Sequence, residues 1–409
     1  MLKRSFLVIA AFALAACAQL QTAGSGFSQA RLDALTARMQ SEIDRGQIPG
    51  VVMVVMRDGR TAYRQALGFK DAKTRAPMRD DSIFRIYSMT KPIVTVAAMQ
   101  LVEEGRLQLG DPVSKYLPQL KGMKVGVEKP DASGKPALEL VDAQREMTIQ
   151  DLLRHTSGLT YGFFGRSLVK EEYRKANVDV GVGRAEYLDV VSKLPLHYQP
   201  GTTWDYSIST DVLAYVIERV AGKPIEQVLQ ERIFAPLGMK DSMFSLDAGR
   251  LARVAEALDS DPGVKGVENW SNLGDASRRP SGGGGMLSTA GDYARFAQML
   301  VNGGELDGVR ILSRKTVQYM DSDHLGTIRG PLFLPGPGYT FGLGGAVRLA
   351  DGLSATPGSA GEFNWGGYGG TYFWVDPKEK LVGVLMLQAP TPRGFYRNLF
   401  RDMVYAAMQ

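Results

Sequence analysis

The alternation of apolar and polar positions predicts strands at both ends of the chain and helices in the middle. Strand-like runs lie at 51–56, 61–67, 339–349, 370–375 and 381–387. Helical patterns lie at 28–45, 89–104, 148–154, 184–193, 209–221, 225–234 and 395–408, and Thr289 is placed to open another. The polar segments 122–146 and 259–285 are predicted to be loops, the first an inserted surface loop.

Strands at both termini with helices between them predict an α+β fold with one sheet built from the two ends of the chain. We place the α/β part at about 28–87 and 288–409. A mostly helical part, at about 88–287, is predicted to be inserted into it. The chain of 409 residues, 44% of them hydrophobic, is long enough for one large domain or two closely packed ones.

The first residues have the shape of a secretory signal rather than of folded structure. Lys3 and Arg4 precede an apolar run, 5–16, that is shorter than the ~20 residues a membrane span needs. The run ends in Leu-Ala-Ala-Cys17, which resembles the lipobox of bacterial lipoproteins and implies residues 1–17 as leader and Cys17 as the acylated residue. By the same resemblance, Ala18 implies sorting to the outer membrane, with the protein on the periplasmic side. An ordinary signal peptide and a secreted protein remain the alternative.

Composition removes several classes of function. The formal net charge is only +5 and no long basic run occurs, so a nucleic-acid partner is not expected. The three histidines lie far apart in sequence without an H-E-x-x-H or C-x-x-C companion, so we expect no metal site. No phosphate-binding G-x-x-x-x-G-K-[ST] motif occurs, and the chemistry inferred below needs no cofactor.

Ser88-Met89-Thr90-Lys91 is the strongest candidate for chemistry. It follows an apolar stretch and opens a predicted helix, so Ser88 and Lys91 fall on one face within hydrogen-bonding reach. The helix N-terminus favours negative charge on the serine oxygen, and a lysine held there with little water can take the serine's proton. Ser167-Leu-Val-Lys170 fits the same spacing, but it leads into a charged stretch that we expect to be solvated, and we interpret it as a chance match.

Two further segments carry candidate residues. Tyr206-Ser207 offers a phenol that can relay a proton to a leaving group, although a tyrosine of this kind is more often simple packing. The Trp365-Gly-Gly-Tyr-Gly-Gly segment has glycines beside a strand, which allow close backbone approach to a ligand or make a tight turn. Tyr396-Arg397-Asn398 forms a rival Y-x-N motif, which we assign to packing of the C-terminal helix.

The order S-x-x-K, Y-S and W-G-G resembles the family VIII carboxylesterases, relatives of the class C β-lactamases and D-specific peptidases. The resemblance extends over roughly residues 28–407, and its other segments are 84–90, 152–159, 200–207, 281–292 and 365–377. It implies a β-lactamase/transpeptidase-like fold, an antiparallel sheet flanked by helices with an inserted helical region. The site is implied to lie in the cleft between the two parts.

Position by position, the resemblance implies a role for each motif residue. Ser88 is similar to the acylated nucleophile, Lys91 to the general base and Tyr206 to the proton shuttle. The oxyanion hole is implied at the backbone N–H groups of Ser88 and Tyr368. Substrate-binding positions are implied at Trp365, Gly366 and Gly367.

Two departures from the β-lactamase pattern point to an ester as substrate. Ile208 stands in place of the asparagine of Y-x-N, and Trp365 in place of the lysine of K-T-G, the group that grips a substrate carboxylate. Losing both polar groups weakens recognition of a β-lactam, and an apolar wall suits a neutral, small-molecule ester. The absence of G-x-S-x-G argues against an α/β-hydrolase.

Three alternatives remain open at this stage. A β-lactamase or D-amino-acid peptidase would use the same serine on an amide, and a transacylase would pass the acyl group to an alcohol. A non-catalytic peptidoglycan-binding lipoprotein is the alternative from another class. We assign His155 a structural role in a turn, and we expect the loop 323–345, with Phe333 and Leu334, to shape the acyl pocket.

Overall fold

The computed structural model describes residues 26–179, 181–266 and 272–409. The predicted leader, including Cys17, lies outside the described residues. Within the described ranges, no helix combines the length and apolar character needed to cross a membrane.

Fourteen strands and twelve α-helices are described in these ranges. In chain order the strands are β1 (Gly50–Arg57), β2 (Arg60–Asp71), β3 (Ala76–Pro77), β4 (Phe84–Arg85), β5 (Lys124–Pro130), β6 (Pro136–Asp142), β7 (Leu287–Ser288), β8 (Glu305–Leu306), β9 (Val309–Arg310), β10 (Tyr339–Phe341), β11 (Ala346–Arg348), β12 (Phe363–Gly366), β13 (Tyr372–Asp376) and β14 (Leu381–Leu387). The helices are α1 (Gln29–Asp44), α2 (Thr90–Glu103), α3 (Ile149–Leu153), α4 (Leu168–Ala176), α5 (Tyr187–Val191), α6 (Ser209–Ala221), α7 (Ile225–Leu229), α8 (Ala235–Leu237), α9 (Ala248–Leu251), α10 (Ala290–Val301), α11 (Arg314–Met320) and α12 (Arg393–Ala407).

The main sheet contains eight strands in the order β10-β11-β12-β13-β14-β1-β2-β3, and every neighbouring pair is antiparallel. The centre of the sheet is β14, which is buried along its whole length because it pairs with β1 on one side and β13 on the other. The two ends of the chain therefore meet in one sheet, as the hydrophobic pattern predicts. The predicted strand at 339–349 is instead two short strands, β10 and β11, because the chain turns at Gly344, whose φ is +83°.

Helices cover both faces of this sheet. On one face, α1 and α12 pack together over β1 and β14 in one apolar cluster. On the other face, α10 lies against β1, β13 and β14, and the larger cluster continues into the helices between residues 90 and 237. The prediction of an antiparallel sheet flanked by helices is confirmed, whereas the exact division into two parts stays a prediction.

The segment 122–146 is not a loop. It forms the hairpin β5–β6, paired from Lys124–Asp142 to Pro130–Pro136, with the turn at Asp131–Gly134. The alternation of charged residues with Val125, Val127 and Leu138 is the period-2 signal of a strand, and the high Lys, Gly and Pro content concealed it.

A second small pairing positions the start of α2. Strand β4 pairs with β7, and the backbone N–H of Ile86 donates to the carbonyl of Met286 at 3.1 Å. This pairing joins the chain entering α2 to the chain entering α10. The residues immediately after β4 are consequently held at the boundary between the sheet and the helical region.

Candidate active site

Ser88 lies in a one-turn 3-10 helix, Tyr87–Met89, that leads directly into α2. Tyr87 has a φ of +45°, a left-handed conformation that bulky residues seldom adopt. Such strain persists only where the surrounding structure fixes the backbone, and here the β4–β7 pairing does so. The result is a half-buried serine on the wall of a large cavity.

Lys91 is completely buried one helical turn further on, and its ammonium nitrogen faces Ser88. Nζ lies 3.5 Å from Ser88 Oγ, 3.1 Å from the hydroxyl of Tyr161 and 2.6 Å from the carbonyl oxygen of Gly283. These contacts are two hydroxyls and one carbonyl, all neutral. A buried lysine whose direct contacts are neutral is suited to exchanging a proton with the hydroxyl beside it.

Tyr206 lies at the same place, in the loop before α6. Its ring centroid is 4.6 Å from Lys91 Nζ, and its hydroxyl accepts a hydrogen bond from Nε1 of Trp365 at 3.2 Å. An indole N–H can only donate, so this bond fixes the phenol oxygen and leaves the phenol's own proton free to be donated. The structure thus brings together Ser88, Lys91, Tyr206 and Trp365, which the sequence predicted as site residues.

Tyr161 is a site residue that the sequence analysis missed. It is buried, and its hydroxyl accepts from Lys91. Burial, together with the charge of Asp211, raises the pKa of Tyr161 well above its usual value, so it stays a neutral phenol. Its position two residues after the Leu152–Leu159 segment was the available signal, because that segment already belonged to the resemblance.

The Trp365–Gly370 segment forms the turn from β12 into β13. Gly367 donates its backbone N–H to the carbonyl of Thr371 at 2.8 Å, which closes the turn and places Tyr368 at its tip. Trp365 is largely buried, and it lines the cavity next to Ser88 together with Gly366, Gly367 and Tyr368. Ile208 is buried at the N-terminus of α6 and is not among the residues that line this cavity.

The cavity has a volume of about 660 Å³ and one strongly aromatic wall. That wall is formed by Tyr161, Phe163, Phe164, Tyr206 and Trp365, and Leu334, Pro335 and Pro337 also line the cavity. The ring of Phe333 is exposed at the rim, 5.6 Å from the ring of Phe164. Part of the 323–345 segment thus lines the cavity, with Leu334 in the wall and Phe333 at the edge, and its role in shaping an acyl pocket stays a prediction.

A second wall of the cavity is acidic. Asp179 and Asp211 both line it, and Asp211 accepts from Arg279 at 2.9 Å and from Ser281 at 2.5 Å. Burial and the charge of Asp211 raise the pKa of Asp179 to about 7. Asp179 therefore changes its charge near neutral pH.

His155 has a structural position, in agreement with its predicted role. It takes a φ of +57°, and its Nδ1 lies 3.1 Å from the hydroxyl of Ser207. Its ring packs 4.7 Å from that of Tyr206, and burial holds its pKa well below the usual value. His155 is thus a neutral support for the loop that carries Tyr206.

The sequence interpretation of Ser167–Lys170 is wrong in one respect. Lys170 is buried rather than solvated, and its Nζ lies 3.6 Å from the carboxylate of Asp205. The charged residues that suggested a solvated stretch lie on the opposite face of α4. Ser167 caps that helix by accepting the backbone N–H of Lys170.

Residues 32–407 match the family model described as Beta-lactamase, so the chain belongs to that family. Protein Rv1367c of Mycobacterium tuberculosis is 36% identical over 370 residues, which cover 87% of this chain and 90% of the relative. Esterase EstB of Burkholderia gladioli is 31% identical over 404 residues, which cover 91% of this chain and 95% of the relative.

Among solved structures, EstCE1, described as a hydrolase with promiscuous acyltransferase activity, superposes with a TM-score of 0.74 and 28% identity. The match covers 92% of this chain and 97% of that one. The β-lactamase-like fold and the resemblance to family VIII esterases are confirmed. The chain is an enzyme, a β-lactamase-related serine hydrolase with relatives among esterases and acyltransferases.

Proposed function

We propose that this enzyme hydrolyses carboxylic esters through an acyl-enzyme on Ser88. The observation that carries the proposal is the set of three contacts around Lys91 Nζ. When Lys91 is a neutral amine, its two N–H bonds are directed to the carbonyl of Gly283 and the hydroxyl of Tyr161. The lone pair is then left for the hydroxyl of Ser88, which is the geometry a general base needs.

Acylation begins when Lys91 removes the proton of Ser88 and the serine oxygen attacks the ester carbonyl. The 3.5 Å separation of Nζ and Oγ is at the long end of a hydrogen bond, and such contacts tighten when substrate binds. The resulting oxyanion is stabilised by the backbone N–H groups of Ser88 and Tyr368. Tyr206 passes a proton to the departing alkoxide, and water then releases the acid by the reverse sequence.

The substrate class follows from the cavity. The aromatic wall and Trp365, which stands where β-lactamases carry a lysine, favour a small-molecule ester with an apolar acyl group. A relative named Esterase EstB supports the same class. Hydrolysis of β-lactams is expected to be slow, because neither polar group of the β-lactamase pattern is present.

Acyl transfer is the second candidate. A cavity of about 660 Å³ has room for an alcohol beside a short acyl group, and EstCE1 is described as having promiscuous acyltransferase activity. The same acyl-enzyme would then react with an alcohol instead of water. Adding a primary alcohol to the ester assay and measuring the new ester against the free acid separates the two reactions.

We also propose that the protein is a lipoprotein of the outer membrane, anchored by an acylated Cys17 on the periplasmic side. The lipobox-like Leu-Ala-Ala-Cys17 ending of an apolar leader supports this location. Incorporation of labelled fatty acid in a bacterial host, compared with Cys17→Ser, tests it. Equal labelling of the two proteins would contradict the anchor.

The function is tested by parallel hydrolysis of p-nitrophenyl acetate, p-nitrophenyl butyrate and nitrocefin, with Ser88→Ala as the control. We expect ester turnover that falls by at least about 10³-fold in the variant, and little cleavage of nitrocefin. Turnover that survives in Ser88→Ala would mean that another residue is the nucleophile. Rapid nitrocefin cleavage would instead make the protein a β-lactamase.

A further inference from the structure

The turn that carries Tyr368 is packed between two parts of the protein. On one side is the backbone just before Ser88: a side chain at Gly367 would collide with the carbonyl oxygen of Ile86. Thr371 Oγ1 donates to that same carbonyl at 3.3 Å. This contact sets the distance between the two N–H groups of the proposed oxyanion hole.

On the other side is Arg397, from the first turns of α12. Its guanidinium donates to the carbonyl oxygen of Gly367, to that of Thr371 at 3.0 Å and to that of Gly370 at 3.4 Å. A Cβ at Gly366 would lie 2.5 Å from the central carbon of the guanidinium. The glycines of W-G-G are therefore required by contacts within the protein, with Arg397 and Ile86, and not only by close approach of a ligand.

The bond to Gly367 has a specific geometric consequence. The carbonyl of Gly367 and the N–H of Tyr368 belong to the same peptide unit, which is planar and trans. Whatever holds the carbonyl towards α12 therefore points the N–H in the opposite direction, away from α12. A glycine on one side of this peptide makes rotation of the whole unit easy, so the orientation needs an external restraint.

Arg397 is a partly buried cation for which no carboxylate partner is described. Its hydrogen bonds described here all go to neutral carbonyls, and burial and the charge of Arg393 lower its pKa to about 10. It remains charged at neutral pH. A cation bound to a peptide carbonyl polarises that peptide and makes its N–H a stronger donor.

We propose that Arg397 is a positioning residue for the oxyanion hole: it locks the Gly367–Tyr368 peptide so that the Tyr368 N–H faces the carbonyl attacked by Ser88. This inference rests on the proposed function, because it assumes an oxyanion at Tyr368. It also gives a role to the Tyr396-Arg397-Asn398 motif. Tyr396 packs inward and donates to Glu42 at 3.0 Å. Arg397, the next residue, donates hydrogen bonds to the carbonyls of the turn that carries Tyr368.

The test compares Arg397→Lys and Arg397→Gln with the parent on p-nitrophenyl butyrate. We expect kcat to fall by about 10- to 100-fold with KM changed less than threefold, because the restraint acts on the transition state and not on the bound ester. The inhibition constant of a phenylboronic acid, which forms a tetrahedral adduct on serine, should rise by the same factor as kcat falls. Arg397→Ala should recover part of kcat when guanidinium is added.

The comparison variant is Arg393→Gln, one turn earlier on α12. Arg393 bonds the carbonyl of Pro390 and covers the ring of Tyr368 at 4.9 Å, and no bond from it to a carbonyl of the turn is described. We expect a kcat closer to the parent than that of Arg397→Gln. Equal losses in the two variants would overturn the proposal in favour of a general effect of positive charge.

A purely structural role for Arg397 predicts a different result. The melting temperature and the fraction of protein labelled by a fluorophosphonate would fall, while kcat per labelled site and the boronic-acid constant would stay at parental values. That pattern would overturn the proposal. If Ser88→Ala abolishes hydrolysis and Arg397→Gln changes nothing, only this inference fails; if Ser88→Ala leaves hydrolysis intact, the proposed function fails.

Discussion

The chain contains the same four-residue spacing twice, and of the two serines only Ser88 lines the aromatic cavity of about 660 Å³. Ser88 and Lys91 open α2, while Ser167 and Lys170 open α4. Both serines precede a helix and both lysines are buried. Neither helix position nor burial of the lysine therefore distinguishes a reactive pair from a structural one.

The difference lies in what the lysine and serine contact. Lys91 reaches back to Ser88 Oγ and otherwise contacts a phenol and a carbonyl. Lys170 turns away from Ser167 to the carboxylate of Asp205, which also contacts Nδ1 of His197 at 2.8 Å. Ser167 in turn uses its hydroxyl to cap α4, accepting the N–H of Lys170 at 3.1 Å. Burial lowers the pKa of Lys170, and the carboxylate of Asp205 opposes that shift. Because Nζ of Lys170 contacts Asp205 and the hydroxyl of Ser167 caps α4, the second copy is not arranged as a base beside its nucleophile.

Replacing the two lysines gives the largest expected contrast. Lys91→Met should lower kcat/KM for p-nitrophenyl butyrate by about 10³-fold, because the proton acceptor of Ser88 is removed while the apolar stem is kept. Steady-state hydrolysis with equal amounts of folded protein measures the effect.

Lys170→Met is the matched variant. It leaves the carboxylate of Asp205 with one partner fewer, so the melting temperature should fall. Activity per folded molecule should stay within threefold of the parent below that temperature. Comparable losses of activity in the two variants would show that the contacts of the lysine do not distinguish the reactive Ser-Lys pair from the structural one.

Tyr161→Phe tests the same difference between the two Ser-Lys pairs, because it removes one contact of Lys91 and leaves Lys170 unchanged. The hydroxyl accepts from Lys91 at 3.1 Å, and without it one N–H bond of the lysine is free to point at Ser88. We expect kcat/KM to fall by about 10- to 100-fold. Tyr215→Phe, which removes a hydroxyl that donates to the carbonyl of Arg184 away from the cavity, is the control. An unchanged rate in Tyr161→Phe would remove Tyr161 from the site.

Several of the predicted site residues that the structure brings together are recognisable from their neighbours in the chain. Ser88 and Lys91 are one helical turn apart, and Trp365 begins a turn that its glycines identify. The runs predicted as strands account for β1, β2, β10, β11, β13 and β14 of the sheet, whereas β3 and β12 were not predicted. Their antiparallel arrangement came with the family resemblance.

The residues that sequence reasoning missed act across long separations. Tyr161 meets Lys91 from 70 positions away, and Arg397 meets Gly367 from 30. No local pattern reveals such contacts, and Arg397 was assigned to packing because its neighbour Tyr396 falls on the buried stripe of α12. Lys170 was misjudged for the same reason: its partner Asp205 lies in a distant loop.

The cavity beside the first copy also contains a partly buried carboxyl group, that of Asp179. The variant Asp179→Asn tests the effect of its charge on stability. An aspartate in the unfolded chain loses its proton near pH 3.8, whereas burial and Asp211 raise the pKa of folded Asp179 to about 7. Its contribution to stability is thus fully present below pH 3.8 and is lost as pH rises to about 7. The asparagine has no proton to lose.

We therefore expect the melting temperature of Asp179→Asn, relative to the parent, to increase between pH 4 and pH 7 and to level off above. Thermal unfolding in a series of buffers measures this difference. Asp323→Asn, at a carboxyl whose pKa is lowered by the hydroxyl of Thr340, should not reproduce the rise across this window. A constant difference across the range would mean that Asp179 is ionised throughout.

Ser167→Ala is expected to have the smallest effect and tests the structural copy directly. Loss of an N-cap costs about 1 kcal/mol, which lowers the melting temperature of a chain this size by a few degrees at most. Ser313, which caps α11 through the N–H of Thr316 in the same way, provides a matched second cap. Ser167→Ala and Ser313→Ala should therefore lose similar stability and keep parental kcat/KM. A loss of activity in Ser167→Ala alone would link the second copy to the cavity, through Lys170 and the Asp205 that precedes Tyr206, and the two copies would no longer be independent.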